Sequence, residues 1–211
     1  MNTVKVNGAN FLRQRIILAT LSGKSLKITK IRENAADPGI TEVEMNLLRL
    51  VERNAAVNVK ITLYLFLFVY FRIRVSFTNG ATIKVNETGT ILFYSPGMLC
   101  GGNVTHKCHK SRGVSYYLEV ILALGPFCAN PLMVTLSDCV TNSSFDISVD
   151  SYKNSVIPVL RQYGLYDRDS AKFEIKVNKR GAAPGGGGEV YVSMPNPKKL
   201  RPALALGRIH Q

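Results

Sequence analysis

Arg180-Gly181-Ala182-Ala183-Pro184-Gly185-Gly186-Gly187-Gly188-Glu189-Val190 is the stretch from which the rest of the chain can be read. Phe173 to Val177 before it and Val190 to Ser193 after it read as strands. The glycine run therefore links two strands, and two readings of it stay open. Successive glycines can turn backbone N–H groups into one concavity that suits an anion, with the Arg180 fork beside it. The other reading is a flexible hairpin loop. A Walker-type phosphate loop is excluded, because no Lys-Ser/Thr follows and no helix starts there.

Outward from this loop, the pattern predicts a helix over Val114–Leu124 and a strand over Leu132–Leu136. Asp150 is placed to cap a helix carrying Val156, Ile157, Val159 and Leu160, which Gly164 would end. The same order stands earlier in the chain. Phe11, Leu12, Ile16, Leu18, Ala19 and Leu21 have helical spacing, with Gly23 as the stop. Leu26, Ile28 and Ile31 read as a strand, and Asp37-Pro38-Gly39 as a turn. Thr41 and Glu44 make a capping box for a helix through Val43, Met45, Leu47, Leu48 and Val51. Ala81–Val85 and Thr90–Phe93 then form two strands around a tight Asn86-Glu87-Thr88-Gly89 turn. Helix, strand, helix, strand, strand thus appears twice. The predicted fold is α+β, built by internal duplication.

Charge points to the partner. The chain has 211 residues, with 27 Lys and Arg against 14 Asp and Glu, a formal charge of +13. Residues 1–32 hold Lys5, Arg13, Arg15, Lys24, Lys27, Lys30 and Arg32 and no acid. Such a field attracts phosphate backbones and weakens steeply with salt. A hydrophobic fraction of 46% supports a sizeable core and excludes wholesale disorder. Four cysteines are too few for a disulfide scaffold. The first residues, Met-Asn-Thr-Val-Lys-Val-Asn-Gly, contain no apolar signal core, so a reduced intracellular setting is expected.

Ile61-Thr-Leu-Tyr-Leu-Phe-Leu-Phe-Val-Tyr-Phe71 is nearly all apolar, between Lys60 and Arg72. It has about half the roughly 20 residues that a membrane-spanning helix needs, and its β-branched and aromatic content favours a strand or an insert. Cys100, His106, Cys108 and His109 match no usual zinc spacing and read as surface residues. Cys128 and Cys139 read as core thiols. No Ser-His-Asp or Cys-His arrangement and no catalytic carboxylate pair can be argued, so neither a catalytic residue nor a metal site is assigned.

Taken with the glycine loop, further segments are specific as a set. They are Phe11-Leu-Arg-Gln-Arg-Ile16, Thr20-Leu-Ser-Gly23, Ile31-Arg32, Asp37-Pro-Gly39, Asn86-Glu-Thr-Gly-Thr90, Pro96-Gly97, Gly101-Gly102 and Ser111-Arg-Gly113. Together with Arg180–Val190 they resemble the RNA 3′-terminal phosphate cyclase family over residues 7–54 and 78–202. The resemblance implies repeated units of two helices on a four-stranded sheet, with two of the expected units present. It divides the chain into a first unit at 1–98, a second at 99–202 and a divergent tail at 203–211. Residues 55–77 are expected to lack a family counterpart, and a short in-frame retained intron or a gene-model error would account for them. The tail stands where the family's inserted domain would begin, and His210 does not replace the cyclases' catalytic histidine.

True cyclases resemble one another in a Glu-Gly-Gly-Gly-Gln run near the start. Here Val6 and Asn10 stand at the glutamate and glutamine positions, and Ala35 replaces an arginine, while Arg13 is retained. Asn10-Phe-Leu-Arg-Gln-Arg15 is instead similar to the cyclase-like branch of eukaryotic ribosome assembly. That resemblance implies a non-catalytic, cofactor-free factor of the nucleus and nucleolus in the small-subunit processome. Its implied partners are a ribosome-assembly GTPase, pre-ribosomal RNA and a small nucleolar ribonucleoprotein, without a membrane. The alternatives are an active ATP-dependent RNA 3′-terminal cyclase and an endoribonuclease of pre-ribosomal RNA cleavage; a third is a truncated product without function. Candidate anion and RNA contacts are Arg13, Arg15, Lys24, Arg32, Arg112, Arg180 and the run Gly185, Gly186, Gly187 and Gly188; only Arg13 and Arg180 carry motif support.

Overall fold

The structure is a computed structural model that describes residues 3–52, 78–162 and 173–195. Its first sheet starts with β1 (Thr3–Asn7), which the sequence reading missed, and continues through α1 (Leu12–Ser22), β2 (Ser25–Thr29) and α2 (Glu42–Val51) to β4 (Thr82–Val85) and β5 (Leu92–Ser95). A two-stranded ladder, β3 (Thr78–Asn79) with β6 (Met98–Leu99), sits beside them. The remainder is β7 (Gly102–Lys107), α3 (Ser115–Leu124), β8 (Leu132–Cys139), α4 (Val149–Gln162), β9 (Glu174–Lys179) and β10 (Gly188–Met194). The described residues are thus mixed α and β, as predicted, with four helices.

Both four-stranded sheets have the same topology, β1-β2-β5-β4 and β7-β8-β10-β9. In each, the first pair is parallel and the other pairings are antiparallel. A parallel pair needs a crossover connection, and α1 and α3 supply it. β1 and β7 escaped prediction because each is a polar edge strand. Val104 and His106 are the buried residues of β7, and no residue of β1 is buried.

Local signals explain the helix ends. Gly23 is left-handed at φ 65°, and the N–H groups of Gly23 and Lys24 return to the carbonyls of Thr20 and Ala19 at 3.3 and 3.2 Å. Thr41 and Glu44 form the reciprocal box that starts α2: Thr41 N–H donates to Glu44 Oε2 at 2.9 Å and Glu44 N–H donates to Thr41 Oγ1 at 3.4 Å. The cap of α4 is a correction. Ser148 Oγ accepts from Ser151 N–H at 3.1 Å, while Asp150 lies inside the first turn and pairs elsewhere. Serine one residue before the helix holds the capping geometry that a first-turn aspartate cannot.

One core runs through both halves. Ile16, Ile28, Leu47, Leu48, Leu92 and Tyr94 fill it from the first, and Tyr117, Leu118, Ile121, Leu136, Val190 and Val192 from the second. The Tyr94 hydroxyl donates to Thr20 Oγ1 at 2.7 Å, and Thr20 in turn donates to Ile16 O, so the buried phenol is satisfied. α1 packs on α3, and the helical stripe is narrower than predicted: Phe11, Leu18 and Leu21 are exposed. His106 and Cys108 are buried rather than on the surface, because β7 turns its even-numbered residues inward. The apolar run 61–71, Gly164 and the tail 203–211 lie outside the described residues. Among the described residues, no helix is long and apolar enough to cross a membrane.

Candidate functional site

A cleft of about 440 Å³ opens where the start of α2 faces the loop between β7 and α3. Arg32, in a left-handed turn at φ 46°, reaches into it from beyond β2. Its Nη1 donates to Gly39 O at 2.6 Å and its Nη2 pairs with Glu44, the same carboxylate that closes the capping box. One buried acid thus orients the arginine and satisfies the helix end.

The opposite wall comes from the second half. Arg112 grips Asp146 with both arms, Nε at 2.8 Å and Nη2 at 2.5 Å, and Gly113 N–H adds a third bond at 2.7 Å. Burial opposes ionisation of Asp146, but Arg112, Gly113 N–H and Arg13 outweigh it and hold the carboxyl below its usual range. The Tyr116 ring lies between two guanidinium groups, with Arg13 at 4.3 Å and Arg112 at 4.5 Å from its centroid. Burial and Glu44 raise the Tyr116 phenol to about 12 against the pull of the two arginines. Arg13 also meets Glu119 at 3.1 Å, and Gln14 donates to the other oxygen of Glu119 at 2.6 Å, which clasps α1 to α3.

At the rim, a hydrogen-bonded string runs from Glu42 through His109 to Ser111. His109 Nε2 lies 3.3 Å from Glu42 Oε2, and Nδ1 lies 2.9 Å from Ser111 Oγ. The order imitates a catalytic triad. Glu42, however, is 90% exposed, so its charge is solvated and cannot lock the imidazole as a buried carboxylate does. The cleft offers binding chemistry: a flat guanidinium–phenol stack and polar edges. Among the described residues, no cluster of His, Cys, Asp and Glu is arranged to hold a metal ion.

Beneath the cleft, His106 Nε2 meets Asn46 Oδ1 at 2.8 Å, and the Asn46 amide donates to Lys107 O at 3.1 Å. Burial, reinforced by Arg49, lowers the His106 imidazole to about 4, so at neutral pH it is uncharged and donates Nε2–H to Asn46.

The structure thus brings Arg13, Arg32 and Arg112 to one place and scatters the other candidates. Arg15 turns back to the carbonyls of Gly8 and Asn7 at 2.6 and 3.4 Å, securing the turn between β1 and α1. Lys24 is exposed just past the end of α1. Arg180 pairs with Asp150 on α4.

The glycine loop is pinned. Thr141 and Gly181 exchange bonds at 2.9 and 3.2 Å, and Gly186 N–H donates to Ala182 O at 2.8 Å. Gly187, at φ 83°, donates its N–H to Asp138 Oδ1 at 3.0 Å, with Lys107 and Lys110 each 3.5 Å from the same carboxyl. An internal carboxylate therefore sits where an external anion was expected, and Gly185 is exposed beside it while Gly188 opens β10. The sequence reading missed Glu119, Asp146 and Tyr116, although the Tyr-Tyr after Arg112-Gly113 was a visible signal.

The model of the family described as RNA 3′-terminal phosphate cyclase matches residues 4–65 and 69–206. Its spans take in both flanks of 55–77 and break only at 66–68. A human protein called RNA 3′-terminal phosphate cyclase-like protein is 43% identical over 195 residues, 92% of this chain and 45% of the relative. The Drosophila melanogaster counterpart, a probable protein of that name, is 41% identical over 201 residues, 95% of this chain and 45% of the relative. The Schizosaccharomyces pombe protein named rRNA processing protein rcl1 is 36% identical over 203 residues, 96% of this chain and 48% of the relative. The chain spans about half the length of the curated relatives it matches.

Proposed function

The chain belongs to the RNA 3′-terminal phosphate cyclase family, and from that premise we propose that it is a non-catalytic cyclase-like factor of ribosomal RNA processing. The observation that carries the proposal is the naming of its relatives: cyclase-like in human and fly, and an rRNA processing protein in fission yeast. Val6 supports it. The residue at the position of the cyclases' glutamate is aliphatic, half-buried on β1 and paired in register with Ile28, and it can neither bind a metal nor hold a nucleotide. We read the two equivalent sheets as two copies of the family's unit.

The finer reading is early pre-ribosomal RNA cleavage in the small-subunit processome, in the nucleolus, beside a ribosome-assembly GTPase and a small nucleolar ribonucleoprotein. Arg13, Arg32 and Arg112, already neutralised by internal carboxylates, suit a protein partner's planar or acidic side chains at the cleft better than a bare phosphate chain.

The deciding experiment is depletion of the endogenous factor and rescue with this chain, followed by electrophoresis of pre-ribosomal RNA. Rescue restores the cleaved intermediates and withstands loss of any ATP-dependent labelling. Covalent adenylation of the chain by labelled ATP, with conversion of an RNA 3′-phosphate to a cyclic end, overturns the non-catalytic reading.

A further inference from the structure

The face of the first sheet turned away from the helices carries an unbroken row across all four strands. Lys5 on β1 is in register with Lys27 on β2, Lys27 with Phe93 on β5, and Phe93 with Lys84 on β4. With strands about 4.8 Å apart, the row spans roughly 14 Å, with Phe93 standing between Lys27 and Lys84 in the register. The four side chains line a shallow hollow of about 530 Å³. None of the four strands contains an Asp or Glu, and Lys5, Lys27 and Lys84 form no ion pair among the described residues. The cleft's arginines are matched by acids; these lysines are not.

We infer that this face binds single-stranded RNA, with lysines on successive phosphates and Phe93 under a base. Charge complementarity selects a polyanion. The half-buried phenyl within the row selects one with exposed π-faces, because a duplex keeps its bases stacked inside and a run of Asp and Glu has none, whereas every unpaired nucleotide brings one. A pleated sheet face also lets an extended strand lie across several β-strands at once, so neighbouring nucleotides meet different strands. The inference extends the ribosomal RNA reading by giving the RNA its surface, and it rests on that reading only for which RNA is met.

The test uses the full chain and a fluorescent single-stranded RNA of twelve mixed nucleotides, followed by anisotropy over a salt series. The triple change Lys5→Glu, Lys27→Glu and Lys84→Glu should weaken binding at least tenfold. It should also make the slope of log K against log salt shallower by about 2, the release expected from three phosphate contacts on a single strand. The same charge change at Lys153, Lys176 and Lys179 should alter affinity less than twofold. Phe93→Leu, which keeps an apolar side chain, should lose about fivefold on the single strand and nothing on a duplex of equal length.

Native-like binding by the lysine triple, equal loss in the control triple, or displacement of the RNA by polyglutamate at equal charge overturns the inference. If the triple variant fails to fold by circular dichroism, photocrosslinking of thiouridine RNA to the unaltered chain decides. Crosslinks on β1, β2, β4 or β5 support the face, and crosslinks confined elsewhere overturn it. A chain that rescues ribosomal RNA processing but fails these arms loses the surface alone; one that binds RNA here without rescue loses the processing role alone.

Discussion

The two sheets share strand order and direction but present different chemistry to solvent. Across the first runs Lys5, Lys27, Phe93 and Lys84; across the second, Thr105, Thr135, Tyr191 and Lys176 occupy the corresponding row. Both place an aromatic on the third strand and a lysine on the fourth. The second sheet carries threonines where the first has its other two lysines, and its third and fourth strands add Glu189 and Glu174. The inward positions differ as well. Val6 faces the core of the first sheet opposite Ile28, whereas His106 holds the matching place opposite Leu136. A scaffold can thus be kept while its surface field is written separately, because outward side chains contribute little to the packing that defines the fold.

The largest effects come from breaking what is peculiar to the second half. Replacing Asp146 by Ala leaves the partly buried Arg112 guanidinium and the Gly113 amide without their acceptor. It should cost about 3 kcal/mol in urea denaturation, the range for half of a buried ion pair. Next is acid sensitivity. The unfolded His106 takes up a proton below its ordinary value of 6.5, whereas the folded one resists until about 4. Stability should therefore fall as the pH is lowered from about 6.5 to about 4, by up to roughly 3 kcal/mol, because the unfolded state binds more protons there. His106→Val, the residue that the first sheet uses, should flatten the melting midpoint over that interval.

A gain-of-function change sharpens the surface contrast. Thr105→Lys with Thr135→Lys builds a second lysine row around Tyr191, and the salt dependence of single-stranded RNA binding should steepen by about 1.4 in slope. The smallest effect separates two arginine–aspartate pairs of one half. Arg180 and Asp150 are exposed, 62% and 50%, where Asp146 is 7% exposed. Asp150→Ala should leave the thermal midpoint where it was, since water screens such a pair.

Much of the fold could be read before the structure, and the reason is local. The Gly23 stop, the Thr41–Glu44 box and the turn in which Asn86 Oδ1 accepts from Ile91 N–H at 2.7 Å each close within about five residues. The strands β1 and β7 were not legible, since each gains its meaning from a parallel neighbour beyond a helix. The site was legible as a supply of arginines and not as an arrangement. Arg13 is answered by Glu119 and Arg112 by Asp146, partners that no spacing rule connects.

The sequence by itself determined the family, the alternation of helices and strands, and a total charge of +13. These depend on short-range pattern and on summed composition. Only the tertiary structure decided where that charge acts. Folding pairs the arginines of the cleft with carboxylates from distant elements and leaves Lys5, Lys27 and Lys84 aligned with Phe93 on one face. Strand register couples residues far apart in the chain, and an electrostatic surface is set by which charges remain unmatched after that pairing.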